Sequence, residues 1–386
     1  MKKFMEKLSI LSLSLILTTA FSISSAQSAM FAFYKGIPES WIELLVSLPS
    51  AGIMVMLLLN GVIEKYLTER QMIVTGLLIF SLCGFVPLFD QSYWLIFASR
   101  LIFGMGLGLL NAKAISIISE RYQGRERVQL LGLRGSAEVV GTALLTLGVS
   151  LLLPFGWQAV FLVYAFGLVV LALYLLFVPA EQTASKGKSR QKKPLQLTKE
   201  DWRLSLGFAF VAGVIVLTNI AINVRVPGIV ERSGMGTAQT AGLILSLMQL
   251  TGIAAGISFA AFLRYFKERL LTVSGFAFGL MQLFIGLAPN LWVLTLSAIA
   301  AGFVYSIALT AIFYTLSERI SSSLLNQATS IVILGCSAGA TATTFVLSSI
   351  GRFSSHQAVI FSILGSAMIL TALFALRIGK DKTSAL

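Results

Sequence analysis

Residues 65–70 read Lys65-Tyr66-Leu67-Thr68-Glu69-Arg70, and residues 264–269 read Arg264-Tyr265-Phe266-Lys267-Glu268-Arg269, an offset of 199. The correspondence runs on down the chain. Trp94 matches Trp292 and Gly104 matches Gly302, both at an offset of 198, and Ser119-Glu120-Arg121 returns as Ser317-Glu318-Arg319 at the same 198. Four landmarks in one order, with one single-residue slip, make the second half of the chain a copy of the first.

Both copies lie among apolar stretches of about 20 residues, each long enough to cross a hydrocarbon core of roughly 30 Å as a helix. Hydropathy and turn residues predict twelve spans, at 8–30, 41–63, 71–89, 92–118, 129–153, 157–179, 204–229, 238–263, 270–288, 291–317, 325–350 and 357–378. Gly36-Ile37-Pro38, Pro154-Phe155-Gly156, Pro289-Asn290 and Gly351 punctuate them. Six spans separate the copies, so both halves enter the membrane in the same direction, a parallel repeat. The predicted fold is an all-α membrane protein with twelve transmembrane helices in two six-helix pseudo-repeats. The predicted units are an N-terminal bundle (1–179), a basic linker (180–203) and a C-terminal bundle (204–386).

Composition excludes several alternatives. Of 386 residues, 56% are hydrophobic and 12% charged, and the mean hydropathy is +0.88, too little charged surface for a soluble domain. The longest polar stretch, about Ala180 to Arg203, is too short to bury a core. A net charge of +13 could point to nucleic acid, but the basic residues sit in short loops between spans, where topology requires them, so no nucleic-acid partner is expected. Cys83 and Cys336 lie apart inside apolar segments and read as small buried side chains. The single histidine, His356, lies at a span end, no metal-ligand cluster exists, and serines and threonines lack a nearby base. An enzyme, a cofactor and a metal are therefore not expected.

With both termini in the cytoplasm, 22 of the 29 Lys and Arg fall on cytoplasmic segments. Lys35, Arg225, Arg232 and Arg352 lie at the outer side or outer helix ends, and Arg100, Lys113 and Arg134 lie within spans. That asymmetry predicts a multi-pass protein of the cytoplasmic membrane with the 180–203 tract inside. The start of the chain admits a second reading, because Lys2, Lys3 and Lys7, an apolar run and Ser24-Ser25-Ala26 resemble a secretory signal. The repeat needs six helices before the linker, so a retained first helix is expected. The tract Lys186-Gly187-Lys188-Ser189-Arg190-Gln191-Lys192-Lys193 suits a solvated linker or anionic lipid headgroups.

Twelve spans, a 6 + 6 repeat and a basic central loop together resemble the major facilitator superfamily over the whole chain. Arg100-Leu101-Ile102-Phe103-Gly104-Met105-Gly106-Leu107-Gly108 is similar to its R-x-x-x-G-x-G pattern. Between spans 2 and 3 its G-x-x-x-D-R-x-G-R-R pattern is degraded, with Asn60, Glu64, Lys65 and Leu67 at the first Gly, the Asp, the Arg and the second Gly. The resemblance implies Glu64, Lys65 and Arg70 as gating-loop candidates. In span 5, Gly132 and Gly141 keep the first spacing of the antiporter pattern, while Leu145 and Thr146 replace its Gly-Pro. The general run of spans 4 and 5 resembles the cyanate and nitroimidazole transporter branch, which fixes no substrate. The superfamily lines its cavity with spans 1, 4, 7 and 10, which implies Gln27, Asn111, Asn219, Asn223, Tyr305 and Tyr314 as lining candidates. Asn219 and Asn223 share a helix face at i, i+4.

Charges inside a bilayer are costly and are functional candidates by default. Arg100 lies about 12 Å into span 4 at 1.5 Å per residue, and suits either a transport role or a structural one on helix carbonyls. Glu138 reads as the one carboxylate well inside a span, with Arg134 at i−4. Counting residues from the turn near Gly124 groups Lys113, Arg134 and Glu138 into one cluster. It suits a proton relay, an anion site or a static lock between spans 4 and 5. The expected function is secondary active transport of a small organic solute by alternating access, proton-coupled and by a protein that works as a monomer in the bilayer. Efflux is one possible direction. Facilitated diffusion, or a receptor or scaffold of the same fold that no longer transports, are the alternatives.

Overall fold

The computed structural model describes residues 2–179 except Gln123, and 198–380 except residues 322, 323 and 355. The basic tract 186–193 and most of the 180–203 linker lie outside the described residues.

All regular structure among the described residues is helical. The helices are α1 (Lys2–Ser14), α2 (Gln27–Phe33), α3 (Glu39–Ile63), α4 (Glu69–Phe89), α5 (Tyr93–Arg121), α6 (Gly124–Leu152), α7 (Phe166–Phe177), α8 (Lys199–Arg232), α9 (Ala238–Phe266), α10 (Leu270–Gly286), α11 (Leu291–Arg319), α12 (Leu325–Gly351) and α13 (Gln357–Lys380). Among the described residues ten stretches are long and apolar enough to cross a membrane, one of them the 49-residue run Ala238–Gly286 that holds both α9 and α10. A bent pair at the start would make an eleventh. α4 starts at Glu69, two residues before its predicted span, and α8 at Lys199, inside the stretch predicted as linker, because caps set the starts. Thr68 with Gln71 and Thr198 with Asp201 form reciprocal capping boxes that open α4 and α8.

The first predicted span is not one helix. After α1 the chain turns, winds as a tight 3₁₀ stretch over Thr19–Ala26 and continues as α2, with a 52° bend between the parts. The stretch is rich in hydroxyls, which compete for backbone hydrogen bonds; Thr19, for example, donates to the Ile16 carbonyl at 2.7 Å. The sixth span likewise enters through a 3₁₀ segment, Ala159–Ala165, before α7. Ile10, Leu13, Ile16 and Leu17 are nonetheless fully buried, so the first segment is part of the core.

Ion pairs identify one face of the molecule. Lys7 pairs with Glu126, and Arg121 reaches both Glu6 (3.7 Å) and Glu69 (3.8 Å), so the starts of α1, α4 and α6 and the end of α5 meet there. We call this the terminal face and its opposite the far face.

Close helix approaches recur. A Cβ at Gly104 would strike the Pro49 carbonyl, and one at Gly302 the Met248 carbonyl; a Cβ at Gly141 would strike the Leu15 carbonyl, and one at Gly339 the Gly213 carbonyl. Within each comparison the partners stand 198 or 199 residues apart, the offsets of the sequence repeat. Glycine lets these backbones touch.

The two parts of the chain meet along α3–α12 and α6–α9. Toward the far face α6 and α9 are tight, Gly242 lying against Ser150 and Gly252 within 3.3 Å of Val139. One turn nearer the terminal face, on the same helix faces, stand Gly135 and Gly256, and neither has a neighbour within 4 Å of its Cβ position. The helices therefore part just past Val139, leaving a cleft that opens toward the terminal face.

Candidate functional site

Arg100 is the most completely buried charge, with no exposed surface. Its Nε donates to the Leu45 carbonyl at 3.0 Å, one terminal nitrogen to the Ala20 carbonyl at 2.8 Å and the other to the Tyr164 hydroxyl at 3.2 Å. The guanidinium also lies 4.6 Å from the Phe103 ring centre, a cation–π contact. Ala20 belongs to the 3₁₀ stretch, so the arginine ties the irregular first segment to α3 and α5. The geometry is that of a brace within the first half.

The grouping of Lys113, Arg134 and Glu138 holds for Arg134 and Glu138 but not for Lys113. Lys113 turns to α3, its Nζ 2.8 Å from Glu64 Oε1, and is 8% exposed. Arg134 pairs instead with Glu138 along α6 at 2.5 Å. The count assumed that consecutive spans face each other, but α5 packs on α3 and α4, while α6 packs on the 3₁₀ stretch and α9.

Glu138 sits one residue from Val139, at the apex of the cleft, and its side chain keeps 22% exposure there. Thr142 donates to its carbonyl at 2.8 Å and also meets the Thr18 hydroxyl at 2.5 Å, so the break in the first segment rests beside it. Tyr305 of α11 packs its ring against Phe278 and is partly buried against the apolar cores of both parts of the chain. The apex thus joins a salt-bridged carboxylate and the hydroxyls of Thr142 and Thr18.

The other lining candidates divide. Gln27 is 1% exposed, and with its amide nitrogen turned toward α8 it donates to the Val224 carbonyl at 2.9 Å and to Ser24 at 3.2 Å, which makes it a bridge between the halves. Asn223, 5% exposed, donates to the Asn219 carbonyl at 3.0 Å, and Asn219 Oδ1 is buried without a partner. Asn111, half-buried, donates back to the Leu107 carbonyl one turn earlier in its own helix, 3.2 Å away. Tyr314 stands at the terminal end of α11, 38% exposed and against Phe259, away from the apex.

Of the gating-loop candidates, only Glu64 is engaged with a span charge. Burial would raise its pKa, but hydrogen bonds from Lys113 and from Asn60, the latter at 3.0 Å, outweigh that and hold it below 4.5. Lys65 is exposed and Arg70 half-buried. The working charge in this region is Arg121, between Glu6 and Glu69.

Sequence reasoning missed Glu43. It is 2% exposed and lies 3.3 Å from Arg225, and one turn further out Glu39 meets Arg232 at 2.6 Å. These pairs join α3 to α8 at the far face. Arg225 had been placed with the outer helix ends on hydropathy alone. The signal was present in the spacing: Glu39 and Glu43 at i, i+4 share a face of α3, and Arg225 and Arg232 at i, i+7 share one of α8. Among the described residues no three His, Cys, Asp or Glu gather as a metal site would require.

With this geometry in hand, the comparisons with known proteins agree. The chain is 27% identical to the protein TsgA of Salmonella paratyphi B and of Salmonella newport over 356 residues, covering 89% of this chain and 88% of theirs. Its fold is similar to a solved D-xylose–proton symporter, with a TM-score of 0.79 at 16% identity over 98% of both chains. It is also similar to the nucleoside transporter NupG, with a TM-score of 0.73 at 16% identity over 96% of this chain and 99% of that one. Both of these solved structures are of transport proteins. Residues 6–342 match the Major Facilitator Superfamily, and the chain belongs to it.

Proposed function

We propose that this protein is a proton-coupled secondary transporter of a small organic solute, built from two six-helix bundles that rock about the apex between α6 and α9. The recurrence of glycine contacts at the repeat offset supports the division at the linker. The observation that carries the reading is Glu138: a carboxylate at mid-helix, paired with Arg134, at the point where a cleft open to one face closes. Charge at that depth is expensive, and a carboxylate held by a single arginine can exchange its partner for a proton.

On this reading the terminal face is cytoplasmic, the first segment is retained, and the protein works as a monomer in the cytoplasmic membrane. Asn219, Asn223, Asn111 and Tyr305 are proposed to hydrogen-bond the solute. The resemblance of α5 and α6 to the cyanate and nitroimidazole branch stands as a proposal for a substrate screen, in which compounds that raise the melting temperature of the purified protein are identified first. With a ligand found, Glu138→Gln in proteoliposomes should abolish uphill, pH-driven movement and leave downhill exchange. Unchanged pH-driven movement at normal expression would assign the Arg134–Glu138 pair to structure and put the coupling site elsewhere. A cysteine at Ser189 labelled by an impermeant reagent on intact cells would overturn the orientation.

A further inference from the structure

The far face is closed across α3 and α8 by two ion pairs of different character. Glu39–Arg232 is half-exposed, with side chains at 52% and 53%, and is screened by water and salt. Glu43–Arg225 is inside, with side chains at 3% and 14%. It is also poorly satisfied: Glu43 Oε2 and Arg225 Nε are buried without hydrogen-bond partners. A buried pair repays its desolvation only when the remaining polar atoms are bonded. This pair has an unused atom on each side, so its charged form is held by one contact at 3.3 Å.

Resting on the transporter reading above, we propose that Glu43 is a second proton-binding residue of this protein, whose protonation releases Arg225 and parts α3 from α8, opening the far face. The step is an acid–base one. The Glu43 carboxylate takes a proton from far-face water and becomes a neutral acid, and Arg225 keeps its charge and turns to water as the helices separate. Apart from the ion pairs, the closure is made of neutral bonds, such as Ser47 to Thr344 at 2.6 Å and the Gln27 amide to the Val224 carbonyl. These do not respond to pH.

The other charged groups around Glu43 are accounted for. Glu39 and Arg232 form the outer rung. On α5, Arg100 spends its donors on Leu45, Ala20 and Tyr164, and the Tyr93 hydroxyl donates to the Trp41 carbonyl at 2.9 Å. The 3₁₀ stretch and α2 carry no charged residue, and α12 between Leu325 and Gly351 carries only Cys336 as a titratable group. Arg225 is thus the partner whose loss the proton would govern.

The test needs no substrate. Spin labels on Ser40→Cys and Ser233→Cys, in a Cys83→Ser, Cys336→Ser background of the full chain in nanodiscs, report the α3–α8 distance across the far face. Between about pH 8 and about pH 5, where buried carboxylates titrate, the longer-distance population should grow several-fold in the parent. Glu43→Gln should show the longer distance at every pH, and Glu39→Gln should keep the parent's pH dependence. A parent distance that ignores pH, or a Glu43→Gln protein that tracks pH as the parent does or stays closed throughout, overturns the proposal. If Glu43→Gln does not fold, the exchanged pair Glu43→Arg with Arg225→Glu keeps one carboxylate and one guanidinium. It should restore pH-dependent opening, and a pH-independent distance in it counts against Glu43. Because transport is not read, a negative result here leaves the role of Glu138 untouched, and a failure of Glu138→Gln to affect transport leaves this closure untouched.

Discussion

The two parts of the chain pack their helices through matched contacts but distribute charge very differently. Moving 198 residues along takes Arg100 to Ala298, Lys113 to Ala311, Arg134 to Val332 and Glu138 to Cys336. The second part nonetheless makes the same close approaches, Gly302 on Met248 and Gly339 on Gly213, as the first makes with Gly104 on Pro49 and Gly141 on Leu15. It serves as an internal control: this helix packing does not require intramembrane charge. The charges of the first part therefore answer to something other than the fold, with Arg100 as the exception that braces an irregular segment. A second difference agrees with this. The first segment is bent and partly 3₁₀, whereas its counterpart α8 runs unbroken over 34 residues.

The sharpest way to break the comparison is at the shared contacts. Gly141→Leu and Gly339→Leu each drive a side chain into a backbone carbonyl that has no room to move, a worse case than ordinary overpacking at ~1–3 kcal/mol. Both should lose most folded protein, to a similar extent, in a fluorescence-detected size-exclusion assay. A large inequality between them would mean that the contacts are matched in geometry but not in consequence.

Next in size is the brace. Ala20 and Thr218 occupy matched positions, and each carbonyl accepts from a buried side chain, Arg100 in one case and Gln282 Nε2, at 3.0 Å, in the other. Arg100→Met strands two carbonyls and the Tyr164 hydroxyl, and at ~1–3 kcal/mol per buried unsatisfied group should cost about 3 kcal/mol or more. Gln282→Leu removes one added bond to a carbonyl that keeps its place in the α8 ladder and should cost about 1 kcal/mol. The two melting temperatures in the same detergent decide the order.

A functional contrast follows at the apex. Glu138→Gln should remove pH-driven transport with little change in melting temperature, while Cys336→Ser at the matched position should change neither. If both variants transport normally, the asymmetry of charge carries no coupling.

How much of this was legible in the sequence follows from what each inference depends on. Spans, caps and the repeat depend on neighbours along the chain, so Thr68, Thr198 and the glycines of the 198-residue offset could be read directly. The break at Leu15–Thr18 is a competition between helix and hydroxyl bonds that hydropathy does not register. The partners of charged residues depend on which helices touch. Counting depth along the chain could not show that Lys113 faces Glu64 at the end of α3. Glu43 was overlooked because it stands only one turn inside α3, yet the apposition of α8 buries it.

The smallest effect concerns the Glu64–Lys113 pair, another charge pair of the first part without a counterpart. Glu64 is a carboxylate whose folded pKa is depressed, through the hydrogen bonds from Lys113 and Asn60 that overcome its partial burial. The sign follows directly. Its contribution to stability is present above the ordinary value of 4.5 and is lost as the pH falls through the lower folded value. The carboxylate side chain is 42% exposed, so water screens the pair and the contribution is slight. Melting curves of the parent between about pH 6 and about pH 3 should fall more steeply than those of Glu64→Gln, the two converging at the acid end where both side chains are neutral. Loss of the anion also leaves Lys113, 8% exposed, without its partner, so Glu64→Gln should start lower at neutral pH. Equal slopes would show that Lys113 finds another acceptor and that this pair is dispensable to the stability of the first part.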